Sequence, residues 1–94
     1  MVPDALEPGA PIYTVLAAAT IVSEMRRGEE FAYYRGMLGH DRYHAQFLDK
    51  ERYRQINELA DFMWKLSADG VGALVQRRMG DEDFMYLFQR GRSK

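Results

Sequence analysis

Two histidines, His40 and His44, stand four residues apart in the segment His40-Asp41-Arg42-Tyr43-His44. On a helix this spacing puts both imidazoles on one face, as in zinc-binding helices, with Asp41 in the place of a metalloprotease glutamate. The match is poor, because the chain has no further histidine and a third ligand would have to be a carboxylate. We favour two surface or capping imidazoles, since such a spacing is often met by chance. The sequence therefore predicts no metal ion and no cofactor.

A local excess of basic residues follows Val71, where five basic residues stand against three acidic ones. Arg77 and Arg78 form a pair within it, and Arg90 comes later. In a DNA-binding hairpin such arginines contact phosphates or the minor groove. Alternatively they are solvated strand ends that keep an edge strand from aggregating. We favour the second interpretation, because the formal net charge of −1 provides no basic field to attract nucleic acid.

Aromatic side chains are the third set of candidates. Phe84, Tyr86 and Phe88 alternate along one run, and aromatic rings on a sheet can stack single-stranded bases. A chain of 94 residues, however, needs its large apolar side chains to form its core. We therefore expect these rings to lie under a helix. Of the neighbours Tyr33 and Tyr34, one must point to the opposite face of a strand, where it becomes a contact residue.

Trp64 is an interface anchor if it lies outside the buried stripe of its helix, because exposed tryptophan is favoured at binding hot spots. No serine lies in a nucleophile-elbow context, and no glycine-rich loop follows a strand as a phosphate site requires. The sequence therefore predicts a protein that is not an enzyme. Its candidate binding surface comprises Tyr34, Arg35, Trp64, Arg77, Arg78 and Arg90.

The element at the centre of the chain is an amphipathic helix that begins after Asp49. The Asp49 carboxylate is suited to accept hydrogen bonds from the first-turn amides, and Gly70 is suited to the left-handed conformation that ends a helix. Between them, apolar residues recur at spacings of three and four, which is typical of one buried helical stripe. The stripe consists of Tyr53, Ile56, Leu59, Ala60, Met63 and Leu66.

The period changes after Gly70. Two apolar runs, residues 71–78 and 83–90, flank Met79-Gly80-Asp81-Glu82. The second run alternates as a strand does, so we predict a β-hairpin with a loop of about four residues. Two short helices are the alternative, since Asp81 could cap a helix over residues 82–89.

The first helix is predicted to start at Pro11 and to end near the basic pair Arg26-Arg27, with Gly28 as its stop. It is rich in small residues and serves either as core or as the seam of a homodimer. Residues 1–10 contain two prolines and a glycine and are expected to be a flexible arm.

Between the first helix and the central helix, residues 29–36 carry three aromatic rings between glycines and favour a strand. Gly39 breaks the next segment, and a short helix is expected over residues 41–47. We therefore predict one α+β domain over residues 11–90, with two main helices and a short one packed on a small three-stranded antiparallel sheet, and a basic tail at residues 91–94.

This order of helix, strand, short helix, long helix, strand and strand resembles that of a winged-helix domain, which implies a DNA-binding transcriptional regulator. Two features depart from the resemblance: the recognition helix is unusually long, and the charges on its exposed face are balanced. The spaced pattern YYRG…DR…LVQRR…YL resembles small phage and prophage proteins of unassigned function, which implies a mobile-element context.

Composition and hydropathy bear on location. The chain has no cysteine, which fits a reducing compartment. Its longest apolar run, residues 12–22, is too short to span a bilayer, and acidic residues precede it where a signal peptide would be basic. We predict a cytoplasmic protein with no membrane contact. It acts through protein–protein contacts, with a protein partner or as a homodimer, and the DNA-binding regulator is the alternative.

Overall fold

The structure is a computed structural model that describes residues 6–7 and 9–91. Over these residues the chain forms three α-helices and three β-strands in the predicted order, which confirms the α+β class. The predicted arm and tail fall largely on residues 1–5, 8 and 92–94, outside the described part, and stay predictions. The elements are α1 (Val15–Glu24), β1 (Glu30–Gly36), α2 (Leu38–Leu48), α3 (Lys50–Ala68), β2 (Gly72–Gly80) and β3 (Asp83–Arg90).

The strands form an antiparallel sheet in the order β1-β3-β2, so β3 is paired on both sides. Leu87 and Phe88, adjacent in β3, are both fully buried because they point to opposite, covered faces of the sheet. The predicted hairpin is confirmed, and the alternative of two short helices is wrong. The hairpin turn is shorter than the loop of about four residues expected from the sequence, because β2 continues to Gly80. The register of β2 against β3 shifts between Arg78 and Gly80.

The main core lies between the helices and one face of the sheet. Of the three rings predicted to lie under a helix, Phe88 is fully buried in this core and Tyr86 packs against it, whereas Phe84 is half-buried and belongs to neither cluster of the described residues. The opposite face carries a smaller cluster of Ala32, Met85 and Leu87, against which Leu6 and Val75 pack. The buried members of the main core are Ala18, Val22, Met25, Phe31, Tyr33, Tyr34, Ala45, Ile56, Leu59, Met63 and Phe88.

Helix α3 has the limits that its sequence predicts. A carboxylate oxygen of Asp49 accepts a hydrogen bond from the Arg52 amide at 3.1 Å, which confirms the N-cap. At the other end Gly70 has φ 79°, and the Val71 amide donates to the Leu66 carbonyl at 3.0 Å. This geometry satisfies carbonyls that the last turn would leave open.

Helix α1 is shorter than expected at both ends. It begins at Val15 because the Thr14 hydroxyl oxygen accepts a hydrogen bond from the Ala17 amide at 3.1 Å, which caps the helix there. It ends at Glu24, and Met25 already has extended backbone angles. The predictions that Pro11 opens the helix and that Arg26-Arg27 closes it are therefore wrong.

Of the helices that the structure describes, none is long and apolar enough to cross a membrane.

Candidate interaction surface on helix α2

Helix α2 runs from Leu38 to Leu48 and includes Gly39, so it is longer than the segment 41–47 expected from the sequence. Its N-cap, Met37, offers no side-chain hydrogen bond. Instead Asp41 reaches back from within the helix, and its Oδ2 accepts a hydrogen bond from the Met37 amide at 3.3 Å. The cap thus comes from inside the first turn, which allows the helix to start ahead of Asp41.

The same Asp41 oxygen ties α2 to the sheet, because the hydroxyl of Tyr34 donates to it at 2.5 Å. Gly36 leaves room for this contact: its φ is 133°, and a Cβ there would come within 2.6 Å of Asp41 Oδ2. Burial, and then the bond to Asp41, raise the pKa of Tyr34 above its usual value, so its hydroxyl keeps its proton and acts as the donor.

Tyr34 is therefore not the exposed contact residue that strand alternation predicts. Strand pairing shifts between Ala32 and Tyr34, which makes Tyr33 an extra residue in β1. As a result Tyr33 and Tyr34 both belong to the main core, with only 4% and 2% of their surfaces exposed. The expectation that one of them points away from the helices is wrong.

Two further contacts fix the orientation of α2. The Leu38 amide donates to the hydroxyl oxygen of Tyr86 in β3 at 3.0 Å. The Arg42 Nε donates to the Asn57 side-chain oxygen on α3 at 2.8 Å. Together with Ala45, which is buried against the core, these bonds hold one face of α2 against the sheet and α3. The other face must then point to solvent.

That solvent-facing side carries large apolar residues. Tyr43, Phe47 and Leu48 are 63%, 67% and 80% exposed. The rings of Tyr43 and Phe47 meet edge to face with centroids 5.3 Å apart, and the imidazoles of His40 and His44 lie alongside each other at 4.3 Å. These five residues are called the α2 outer face below. The α2 outer face is a mixed aromatic and apolar surface, and the opposite face of the helix is bonded to the sheet and to α3.

A shallow depression of about 270 Å³ adjoins the α2 outer face at the junction with α3. His44 and Leu48 line it and belong to both surfaces. Its lining contains both apolar and charged side chains. The depression is lined by Asp41, His44, Ala45, Leu48, Asp49 and Arg52.

The histidine pair lies on one side of α2, as its spacing predicts. Over the described residues, no group of three or more histidine, aspartate and glutamate side chains is placed to hold a metal ion. His40 and His44 are both exposed, and their rings lie close together with an angle of 54° between their planes, so they contribute polar aromatic surface to the α2 outer face.

Two arginines of the predicted binding surface, Arg35 and Arg77, are engaged with acidic groups on other strands or on the hairpin. Arg35 makes a two-pronged contact with the Asp83 carboxylate, at 3.0 and 2.9 Å, which lowers the pKa of Asp83. Arg77 reaches Glu30 at 3.3 Å across the sheet. Both ion pairs border the sheet face opposite the main core, which is called the second sheet face below.

The remaining predicted binding residues lie far apart in the fold. Arg78 contacts Asp81 at 3.1 Å in the hairpin turn. Arg90, at the end of β3, donates to the Val22 carbonyl at 3.3 Å. Trp64 is 63% exposed on α3. The residues predicted to form one surface are therefore spread over the hairpin, the sheet and α3.

Sequence reasoning missed Tyr43, Phe47 and Leu48, although a signal was present. Leu38 and Ala45 are one heptad apart and share a helical face, whereas Tyr43 and Phe47 share another, being four apart. A helical projection of residues 38–48 would have shown two apolar faces, more than a helix on the surface of a small domain can bury.

Comparisons with known proteins found no matching family model, no matching curated protein and no matching solved structure.

Proposed function

We propose that this chain is a small non-enzymatic binding protein that acts through protein–protein contact at the α2 outer face. One observation carries the proposal: Tyr43, Phe47 and Leu48 are each more than three-fifths exposed on one side of an anchored helix. Contiguous exposed apolar side chains with a polar rim mark interaction sites in soluble proteins. Burial of such surface in a complex favours association, because removal of apolar surface from water is favourable.

The residue types suit this role. Tyrosine and phenylalanine are enriched in protein interfaces, because they supply large area with few rotatable bonds. The depression beside Leu48 can receive one partner side chain, and its lining includes Asp49 and Arg52, which are able to form hydrogen bonds with that side chain. Since α2 is held by Tyr34, Tyr86 and Asn57, little conformational entropy is lost on binding.

The cellular context of the proposal comes from the sequence. The resemblance of the pattern YYRG…DR…LVQRR…YL to small phage proteins makes an accessory role in a mobile element part of it. The absence of cysteine fits a cytoplasmic site of action.

DNA binding, the alternative that the element order suggests, stays a prediction. The distribution of charged side chains supports DNA binding less well than the exposed apolar residues support the α2 contact. Arg77 and Arg78 each pair with an acid, and on α3 Arg54 is held between Glu51 and Glu58. Fluorescence anisotropy with a mixed-sequence duplex at several salt concentrations tests it. Steep salt dependence that disappears in the double variant Arg77→Glu/Arg78→Glu would establish a DNA-binding hairpin.

The α2 contact is tested with Phe47→Glu, which places a charge in the apolar patch, and with Leu16→Glu as the matched control. Leu16 is 78% exposed on α1 and does not belong to the patch. Tagged wild type and both variants are incubated with lysate of the source cells, and captured proteins are quantified by mass spectrometry. Any protein enriched by the wild type is then purified and titrated against all three forms.

We expect binding to survive Leu16→Glu and to fall at least 10-fold with Phe47→Glu, because a buried unpaired charge is costly in an interface. Circular dichroism checks that both variants remain folded. A partner that binds Phe47→Glu as tightly as wild type would place the contact elsewhere and refute the proposal.

A further inference from the structure

The α2 outer face has a composition that suits contact with itself. We infer that it binds the α2 outer face of a second copy of this chain and forms a two-fold symmetric homodimer. This inference rests on the proposed function and names its partner. A two-fold interface is built from the same patch on both subunits, so the patch must be complementary to itself in both charge and shape.

Charge is the first requirement. No member of the α2 outer face carries a formal charge at pH 7 with histidine neutral, so two copies meet without like-charge repulsion at the centre. The flanking charges are balanced: Arg42 and Arg52 are basic, and Asp41 and Asp49 are acidic. A rim with both signs can pair with its own copy, whereas a partner of strong net charge would gain nothing from it.

Apolar area is the second requirement. A standard-size interface buries about 800 Å² per partner, of which roughly 520 Å² is apolar in a homodimer. Tyr43 and Phe47 are about two-thirds exposed and Leu48 is four-fifths exposed. With the usual sizes of these side chains, together they offer roughly 300–400 Å². The patch therefore supplies more than half of the apolar surface that a homodimer of ordinary size needs.

Sedimentation equilibrium from about 1 μM to 1 mM tests the inference, because complexes with standard-size interfaces include some with micromolar dissociation constants. We expect concentration-dependent dimers for wild type and for Leu16→Glu, and at least a 10-fold higher dissociation constant for Phe47→Glu. Tyr43→Lys serves as a second patch variant, and urea denaturation confirms that each variant is folded.

Because the chain contains no cysteine, a single introduced thiol reports contact between copies. His44→Cys in the centre of the patch should form a covalent dimer under mild oxidation, much faster than Leu16→Cys on α1. Equal rates for the two variants would overturn the inference.

A monomer at 1 mM, or a dimer unaffected by Phe47→Glu and Tyr43→Lys, would also overturn it. The proposed function is judged separately: capture of a different protein that depends on Phe47, together with a monomeric chain, would refute the homodimer and retain the binding role. If the chain is monomeric and also captures no protein through Phe47, both the homodimer and the binding role are refuted.

Discussion

The hydroxyl of Tyr34 in β1 donates a hydrogen bond to Asp41 Oδ2 in the first turn of α2, and the Met37 amide donates to the same oxygen. This carboxylate therefore both caps the helix and fastens it to the sheet. Since the other side of α2 carries Tyr43 and Phe47, the presentation of the candidate interface depends on this partly buried bond.

Replacement of Tyr34 by phenylalanine should weaken the fold and loosen α2. Hydrogen bonds to charged groups contribute about 1.5–3 kcal/mol, so we expect Tyr34→Phe to lower the free energy of unfolding by roughly that amount. Urea denaturation measures the loss, and amide hydrogen exchange over residues 38–48 locates it. Tyr53→Phe is the control, because Tyr53 makes no side-chain hydrogen bond within the described residues. Equal stability of the two variants would show that the bond to Asp41 contributes little.

Alkaline pH should destabilise the protein through Tyr33. Burial, and to a smaller extent the nearby Tyr86, raise the pKa of Tyr33 from 10.0 to about 12. The folded chain therefore holds this proton more tightly than the unfolded chain does. The free energy of unfolding is unaffected by this group below about pH 10, and falls as pH rises from there to about 12, by an order of 1–3 kcal/mol.

The measurement is urea denaturation at several pH values between 8 and 12, each tested for reversibility, on wild type and Tyr33→Phe. We expect the variant to lose less stability over this range. The buried Tyr34, whose pKa is shifted in the same direction, should keep part of the slope. Identical slopes for the two proteins would mean that Tyr33 ionises in the fold as easily as in the unfolded chain.

Asp49 separates α2 from α3 and is the N-cap of α3. Asp49→Ala should lower the free energy of unfolding by about 1 kcal/mol, as is usual for loss of a capping carboxylate. Asp61→Ala on the exposed side of α3 is the matched control and should change stability by less than about 0.5 kcal/mol. Thermal denaturation followed by circular dichroism compares them, and a loss for Asp61→Ala as large as for Asp49→Ala would remove the capping explanation.

The parts of the fold that could be predicted from sequence are those with a strong local signal. The α3 stripe, the Asp49 cap and the Gly70 stop all follow from neighbouring residues, and the alternation over Phe84 to Phe88 identified the last strand. The hairpin was recognisable because a turn signal lies between two apolar runs.

What could not be predicted depends on contacts between residues distant in the chain. The shift of register at Tyr33 arises from pairing with β3, more than 50 residues away, and it reverses the face on which Tyr34 lies. Gly39 predicts a break before residue 41, but α2 already starts at Leu38, because Asp41, Tyr34 and Tyr86 supply the bonds that the first turn needs. Without the orientation of α2, the exposure of Phe47 could not be known.

Leu6 should contribute to stability although it lies near the start of the chain. It packs against the second cluster, which includes the fully buried Ala32 and Leu87, and its carbonyl accepts a hydrogen bond from Arg35 at 2.9 Å. Leu6→Ala removes partly buried methyl groups and leaves this carbonyl in place. We expect the free energy of unfolding to fall by about 1–2 kcal/mol, below the range for fully buried leucines.

Leu48→Ala provides the matched control, because the same atoms are removed from a side chain that is 80% exposed. Measured at low micromolar concentration, where the inferred dimer contributes least, its effect should stay within about 0.5 kcal/mol. Leu6→Ala should also increase the fluorescence of a dye that binds exposed apolar surface, since Met85 and Leu87 lose cover. If instead the two variants are equally stable and bind the dye equally, Leu6 does not cover the second sheet face in solution.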